Sequence, residues 1–124
     1  MGDLFRLTTG PTRVTATGAQ ALEEAQQVTS YKGFDLLVQV YELSGGGGES
    51  ITVRVETSMQ NKSGDSALWK TLGTFTAVTA ANTTEVLSIT SGVLQYVRWY
   101  ATINANTTSA TFEVRVRLFC RRAA

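Results

Sequence analysis

Alternation of apolar and polar residues with a period of two is the feature that most constrains this sequence. Residues 50–57 read Ser-Ile-Thr-Val-Arg-Val-Glu-Thr, with Ile51, Val53 and Val55 on one side of the chain. Residues 112–120 repeat the pattern, with an apolar residue or cysteine at every even position. Successive side chains of a strand point to opposite faces, so both segments predict strands with one face in a core and one in water.

Further strand-like segments follow at similar spacing, namely residues 34–43, 69–78, 85–89 and 96–103, with turn-forming residues between them. Segment 34–43 is apolar on one face and mixed on the other, which indicates a central strand or one covered by a partner. The glycine run at 45–48 permits positive φ and predicts a mobile loop. Many short strands separated by turns predict an all-β fold, an antiparallel β-sandwich or jelly roll.

The first 27 residues carry a weaker pattern, and we interpret them as an N-terminal arm that precedes a sandwich domain at 28–124. Within the arm, residues 12–17 are a candidate edge strand. Residues 19–27 could instead form one or two helical turns, although they lack a long apolar stripe.

Composition argues against most enzyme chemistry and against several kinds of partner. The chain has no histidine, which removes the commonest general base and the commonest metal ligand. We therefore expect no enzyme activity and no cofactor or metal. A net charge of +1 gives no overall drive toward nucleic acid or an anionic membrane. The lone Cys120 cannot form an internal disulfide, and no signal peptide is visible, so we expect synthesis in a cytoplasm.

Carboxylates on the strands have two interpretations. They lie at Asp35, Glu42, Glu56 and Glu113, mostly alternating with apolar residues. Two of them could flank a sugar, as in glycoside hydrolysis. Half-exposed strands must also show polar residues to water, and we favour that interpretation.

Aromatic residues suggest one candidate binding surface. Trp99 shares the parity of Val97 and Ala101, which favours a place in the core. If Trp69 and Tyr100 shared an exposed face, they could stack a sugar ring, as in carbohydrate-binding modules.

Arginines concentrated late in the chain suggest another surface. If the strands carrying Arg98 and Arg115 were neighbours, a basic stripe with interleaved aromatics could follow single-stranded nucleic acid. Such a face could equally protect against edge-to-edge aggregation or meet an acidic protein. We favour these over nucleic acid because the charge is otherwise balanced. The candidate interaction surface comprises Trp69, Arg98, Tyr100, Arg115, Arg117 and Arg121.

The order of these segments resembles the small β-sandwich structural proteins of tailed-bacteriophage particles. The segments that carry the likeness are 31–38 (YKGFDLLV), 51–58 (ITVRVETS), Asp65, 69–76 (WKTLGTFT), 84–87 (TEVL), 96–99 (YVRW) and 111–116 (TFEVRV). The glycine run at 45–48 and the arm before residue 28 have no counterpart in that pattern.

The resemblance implies an accessory virion protein, such as a capsid decoration (cement) or head-fibre base protein, and supplies no catalytic residues. Its expected partners are the major capsid protein and further copies of itself, as a homotrimer on the capsid exterior. We expect synthesis in the bacterial host cytoplasm and an arm that adds a strand to a neighbouring subunit. The alternatives are a tail or connector component, a carbohydrate-binding module or a host-surface adhesin.

Overall fold

A computed structural model describes residues 4–6, 11–19, 26–27, 31–59 and 69–121, with the backbone alone at 4–6, 26–27, 31–32 and 117–121. Every regular element in these ranges is a β-strand. The strands are β1 (Leu4–Arg6), β2 (Thr12–Val14), β3 (Gly18–Ala19), β4 (Gln26–Gln27), β5 (Tyr31–Gly45), β6 (Ile51–Ser58), β7 (Lys70–Thr74), β8 (Thr83–Ile89), β9 (Tyr96–Ile103) and β10 (Thr107–Arg121).

The strands form two antiparallel sheets with jelly-roll connectivity. Sheet 1 has the order β2-β10-β5-β8, and β1 also pairs with β10; sheet 2 has the order β3-β9-β6-β7, and β4 also pairs with β9. Leaving out the short β1 and β4, the first strand pairs with the last, the second with the seventh, the third with the sixth and the fourth with the fifth. This nested pairing across two sheets is the jelly roll. The predicted all-β sandwich is confirmed.

The core lies between the inner faces of the two sheets, where the alternation predicted it. Ile51, Val53 and Val55 point inward from β6 and are at most 2% exposed. The even positions of β10 from Ala110 to Val116 face them from sheet 1 and are equally buried. Burying each of the valine, isoleucine and phenylalanine side chains among them stabilises the fold by roughly 1.5–3 kcal/mol.

Trp99 belongs to this core, as its parity predicted. Its ring packs edge-on against Phe112 of the opposite sheet, with ring centroids 5.1 Å apart. Edge-to-face aromatic pairs contribute about 0.5–1.5 kcal/mol beyond the area they bury. This contact joins the central strands of the two sheets.

The predicted strand at 69–78 is shorter in the structure. β7 ends at Thr74, after a register shift opposite Val55 and Glu56 of β6. Beyond it the chain keeps isolated backbone hydrogen bonds to β6. Phe75 N donates to Val53 O (2.9 Å), and Val78 and Ile51 exchange two bonds, from Val78 N to Ile51 O (2.8 Å) and from Ile51 N to Val78 O (3.0 Å). Phe75 and Val78 thereby stay in the core although the regular ladder has ended.

The described parts of the N-terminal segment form edges of both sheets. β2 lies against β10 in sheet 1, which places the predicted edge strand at residues 12–14, and β3 and β4 lie against β9 in sheet 2. The alternative of helical turns at 19–27 is wrong at Ala19, Gln26 and Gln27, which are strand; residues 20–25 lie outside the described ranges. Backbone pairing with an available sheet edge outweighs a weak local helical preference.

The glycine run joins β5 to β6 at one end of the sandwich. Gly47 and Gly48 have φ of 106° and 72°, the positive values that a glycine run permits. Gly46 N donates to Asn106 O (3.1 Å), and the Asn104 side-chain amide donates to Gly48 O (2.8 Å). These bonds hold the β5–β6 loop against the β9–β10 turn.

Candidate binding surface

The outer face of sheet 2 carries charged and aromatic side chains where β6 and β9 run side by side. The register places Arg54 opposite Tyr100 and Glu56 opposite Arg98. Residues directly opposite each other in antiparallel strands have neighbouring Cβ atoms on the same face. The alternation of β6 and β9 thus gathers these four side chains on one surface.

Glu56 binds both arginines through different oxygens. Arg98 Nε donates to Glu56 Oε1 at 2.8 Å, and Arg54 Nε donates to Glu56 Oε2 at 3.0 Å. The Glu56 and Arg98 side chains are only 5% and 10% exposed, whereas Arg54 is 37% exposed. A nearly buried carboxylate therefore binds two guanidinium groups, that of Arg98, which is nearly buried, and that of Arg54, which is partly exposed.

Each guanidinium also lies over an aromatic ring. The Arg54 Cζ atom lies 4.0 Å from the centroid of Tyr100, and the Arg98 Cζ atom lies 4.2 Å from the centroid of Trp69. These distances are typical of cation–π contacts, which Arg makes more often than Lys. We call these five residues, Arg54, Glu56, Trp69, Arg98 and Tyr100, the Glu56 cluster.

Some nitrogen atoms of the cluster donate no hydrogen bond to the described residues. Among the described residues, Arg54 and Arg98 donate side-chain hydrogen bonds only through Nε, to Glu56. The Nε1 atom of Trp69 is buried and has no hydrogen-bond partner among them. A buried donor without a partner is costly, so such groups are uncommon in folded proteins.

The outer face of sheet 1 repeats one part of this arrangement. Arg115 Nε donates to Glu113 Oε1 at 2.6 Å, and Glu113 is buried although it points away from the core. The hydrogen bond to Glu113, and then its charge, raise the pKa of Arg115 above its ordinary value. Arg115 is therefore charged across the whole pH range in which proteins normally fold.

A shallow depression of about 440 Å³ lies beside Arg115 on this face. Its described lining includes Leu37, the 61% exposed Val86, and Asp35, which accepts a hydrogen bond from Ser88 Oγ at 2.6 Å. The described lining contains no aromatic ring on which a sugar could stack.

The predicted interaction surface is divided between the two outer faces. Trp69, Arg98 and Tyr100 come together on sheet 2, whereas Arg115 lies on the outer face of sheet 1. Arg117 and Arg121 belong to β10 in sheet 1, where the structure describes only their backbone. Because β9 and β10 lie in different sheets, the continuous basic stripe predicted for neighbouring strands does not form.

Arg54 and Glu56 were missed as members of the surface by sequence reasoning. Their alternation with Val53 and Val55 indicated only that they point away from the core. The missing information was the register, which sets Glu56 against Arg98 rather than against another position of β9. Opposite charges two residues apart on one strand were the available signal.

Sugar stacking on Trp69 and Tyr100 does not fit the geometry. Trp69 is 7% exposed and Arg98 covers one face of its ring. Tyr100 is partly exposed, and Arg54 covers one of its faces. Sugar stacking required two exposed rings on one face, and Trp69 and Tyr100 do not provide them.

No protein-family model matches the chain, and no curated protein is significantly similar to it. Within the described ranges, no three His, Cys, Asp or Glu side chains are grouped so that they could hold a metal ion. The same part of the chain contains no helix long and apolar enough to cross a membrane.

Proposed function

We propose that this chain is a non-enzymatic structural protein of a virus particle. In this proposal it is a capsid decoration (cement) protein that self-associates, binds the major capsid protein lattice from outside and stabilises the head. The observation that carries the proposal is the jelly-roll strand order, an architecture used by viral capsid domains. One fold hosts many functions, so this support is an analogy.

The outer surfaces add a physical argument. Both sheets fix charged side chains on their outer faces, through Glu56 on sheet 2 and Glu113 on sheet 1. A protein that binds a repeating lattice gains strength from many modest contacts made together. Ordered polar faces on a rigid sandwich suit that mode of binding and require no catalytic group.

Jelly rolls also occur in lectins, so sugar binding is the natural competing function. It requires a ring face open to the ligand, and the covered rings of Trp69 and Tyr100 do not favour it. Protein docking uses arginine and aromatic side chains in the partly covered form seen here.

Cosedimentation with capsid shells tests the proposal. Shells assembled from the major capsid protein of the same genome are mixed with the purified chain, whose own mass is measured by light scattering. We expect a homo-oligomer, a trimer by resemblance, that pellets with the shells in a saturable ratio. A strict monomer that stays in the supernatant would overturn the proposal, and so would specific retention on a glycan array without shell binding.

A further inference from the structure

We propose that the outer face of sheet 2 is a protein-docking surface on which the Glu56 cluster binds a carboxylate side chain of the partner. This inference goes beyond the proposed function, because it assigns the face and the chemistry of recognition whatever the partner protein is.

Charge is the first argument. The cluster contains two guanidinium groups and one carboxylate, so its net charge is +1. Among the described residues, the terminal Nη groups of Arg54 and Arg98 donate no hydrogen bond. An incoming carboxylate would balance the charge and accept from the Nη groups of Arg54, whose side chain is 37% exposed. Arginine–carboxylate hydrogen bonds are short, strong and often bidentate.

Preorganisation is the second argument. Glu56 fixes the Nε edge of each guanidinium, while Tyr100 and Trp69 hold one flat face. Part of the side-chain entropy that binding normally costs has therefore already been lost in the folded chain. Tryptophan, tyrosine and arginine are also the residue types that dominate binding energy at protein interfaces.

The surroundings favour a protein over a nucleic acid. The other outward residues of β6 and β9 are the uncharged Thr52, Ser58, Tyr96 and Thr102. Nucleic acid binding requires several cations that follow successive phosphates, and the outward residues of β6 and β9 provide one site of net positive charge. Hydroxyl groups around a charged and aromatic centre instead resemble the polar rim of a protein interface.

Side-chain NMR tests the inference on the intact chain. The Arg Nε–Hε and Trp Nε1–Hε1 signals are followed while hexaglutamate, inorganic phosphate or a thymidine oligonucleotide matched in charge to the peptide is added. We expect saturable shifts of the Arg54, Arg98 and Trp69 signals with hexaglutamate. Inorganic phosphate, which arginine also binds in bidentate geometry, should compete with hexaglutamate for the same site. The oligonucleotide should bind at least about tenfold more weakly than hexaglutamate, because its successive phosphates require several cations.

Two variants make the result specific to the cluster. R54Q removes one guanidinium and should weaken hexaglutamate binding about tenfold or more, since its charge-assisted hydrogen bond to the carboxylate would be lost. R13Q is the matched control, because Arg13 is an exposed arginine on β2, in the opposite sheet. R13Q should bind hexaglutamate like the original chain.

Several outcomes would overturn the inference. These are no saturable shift with hexaglutamate, equal weakening by R54Q and R13Q, or tighter binding of the oligonucleotide. If R54Q does not fold, R54K retains the charge but loses the planar fork. Undiminished hexaglutamate affinity in R54K would contradict the bidentate contact. Loss of peptide binding together with retained shell binding would overturn this inference and leave the decoration proposal standing.

Discussion

At the scale of single residues, Glu56 controls the outer face of sheet 2 because its two oxygens hold two different arginines. Its side chain is only 5% exposed. If the carboxylate were removed, water could therefore replace few of the hydrogen bonds that it makes to the two arginines. Removing one partner from a buried ion pair is more costly than the net stabilisation of that pair, because the remaining charge stays buried.

We expect Glu56→Gln to lower the free energy of unfolding by about 2–4 kcal/mol, since two guanidinium groups would then lie together without a counter-charge. Urea denaturation measures this without the screening that a salt denaturant adds. Glu42→Gln is the matched control, because Glu42 is exposed and its hydrogen bond from Ser109 is long, at 3.3 Å. That change should cost less than about 0.5 kcal/mol. Equal losses in both variants would contradict the role given to Glu56.

At the scale of elements, period-two alternation predicted where the main strands lie and which of their side chains point into the core. It placed Val53 and Phe112 in the core and Arg98 and Tyr100 on one outer side, as the structure shows. It could not predict where β7 ends, because that end depends on a register shift against β6. It also could not predict β3 and β4, whose pairing depends on a distant strand rather than on local sequence.

The β5–β6 loop provides a prediction at this scale. A Cβ atom on Gly45 would collide with the backbone carbonyl of Asn106, whereas a Cβ atom on Gly46 would meet no atom within 4 Å. We expect Gly45→Ala to cost about 1–3 kcal/mol through displacement of the β9–β10 turn. Gly46→Ala should change the stability by less than about 0.5 kcal/mol. Urea midpoints of the two variants compare them directly, and equal midpoints would show that the loop moves aside freely.

At the scale of the whole molecule, the assignment of strands to sheets decides which surfaces exist. Alternation shows that Arg98 and Arg115 both point away from the core, but not that β9 and β10 belong to different sheets. The two arginines therefore lie on opposite sides of the sandwich, and the candidate surface predicted from sequence divides into two. Apart from β6 and β7, the paired strands are not consecutive in the chain, so local patterns do not encode most of these pairings.

The N-terminal segment contributes strands to both sheets. β2 covers the outer edge of β10, and β3 and β4 cover the outer edge of β9. Thr17 adds a side-chain contact, since its hydroxyl accepts a hydrogen bond from Ile103 N at 3.1 Å. An uncovered strand edge presents unpaired backbone groups that pair readily with another chain.

We expect a chain that starts at residue 28 to be less stable and to self-associate through the edges of β9 and β10. Each lost backbone hydrogen bond costs about 1 kcal/mol, so the total loss should be several kcal/mol. A chain that starts at residue 11 is the graded control, because it loses β1 but retains β2, β3 and β4. Light scattering and urea denaturation of the three chains should rank them in order of strands retained. If removal of 27 residues leaves both the association state and the urea midpoint of the full chain unchanged, the N-terminal strands do not protect these edges in solution.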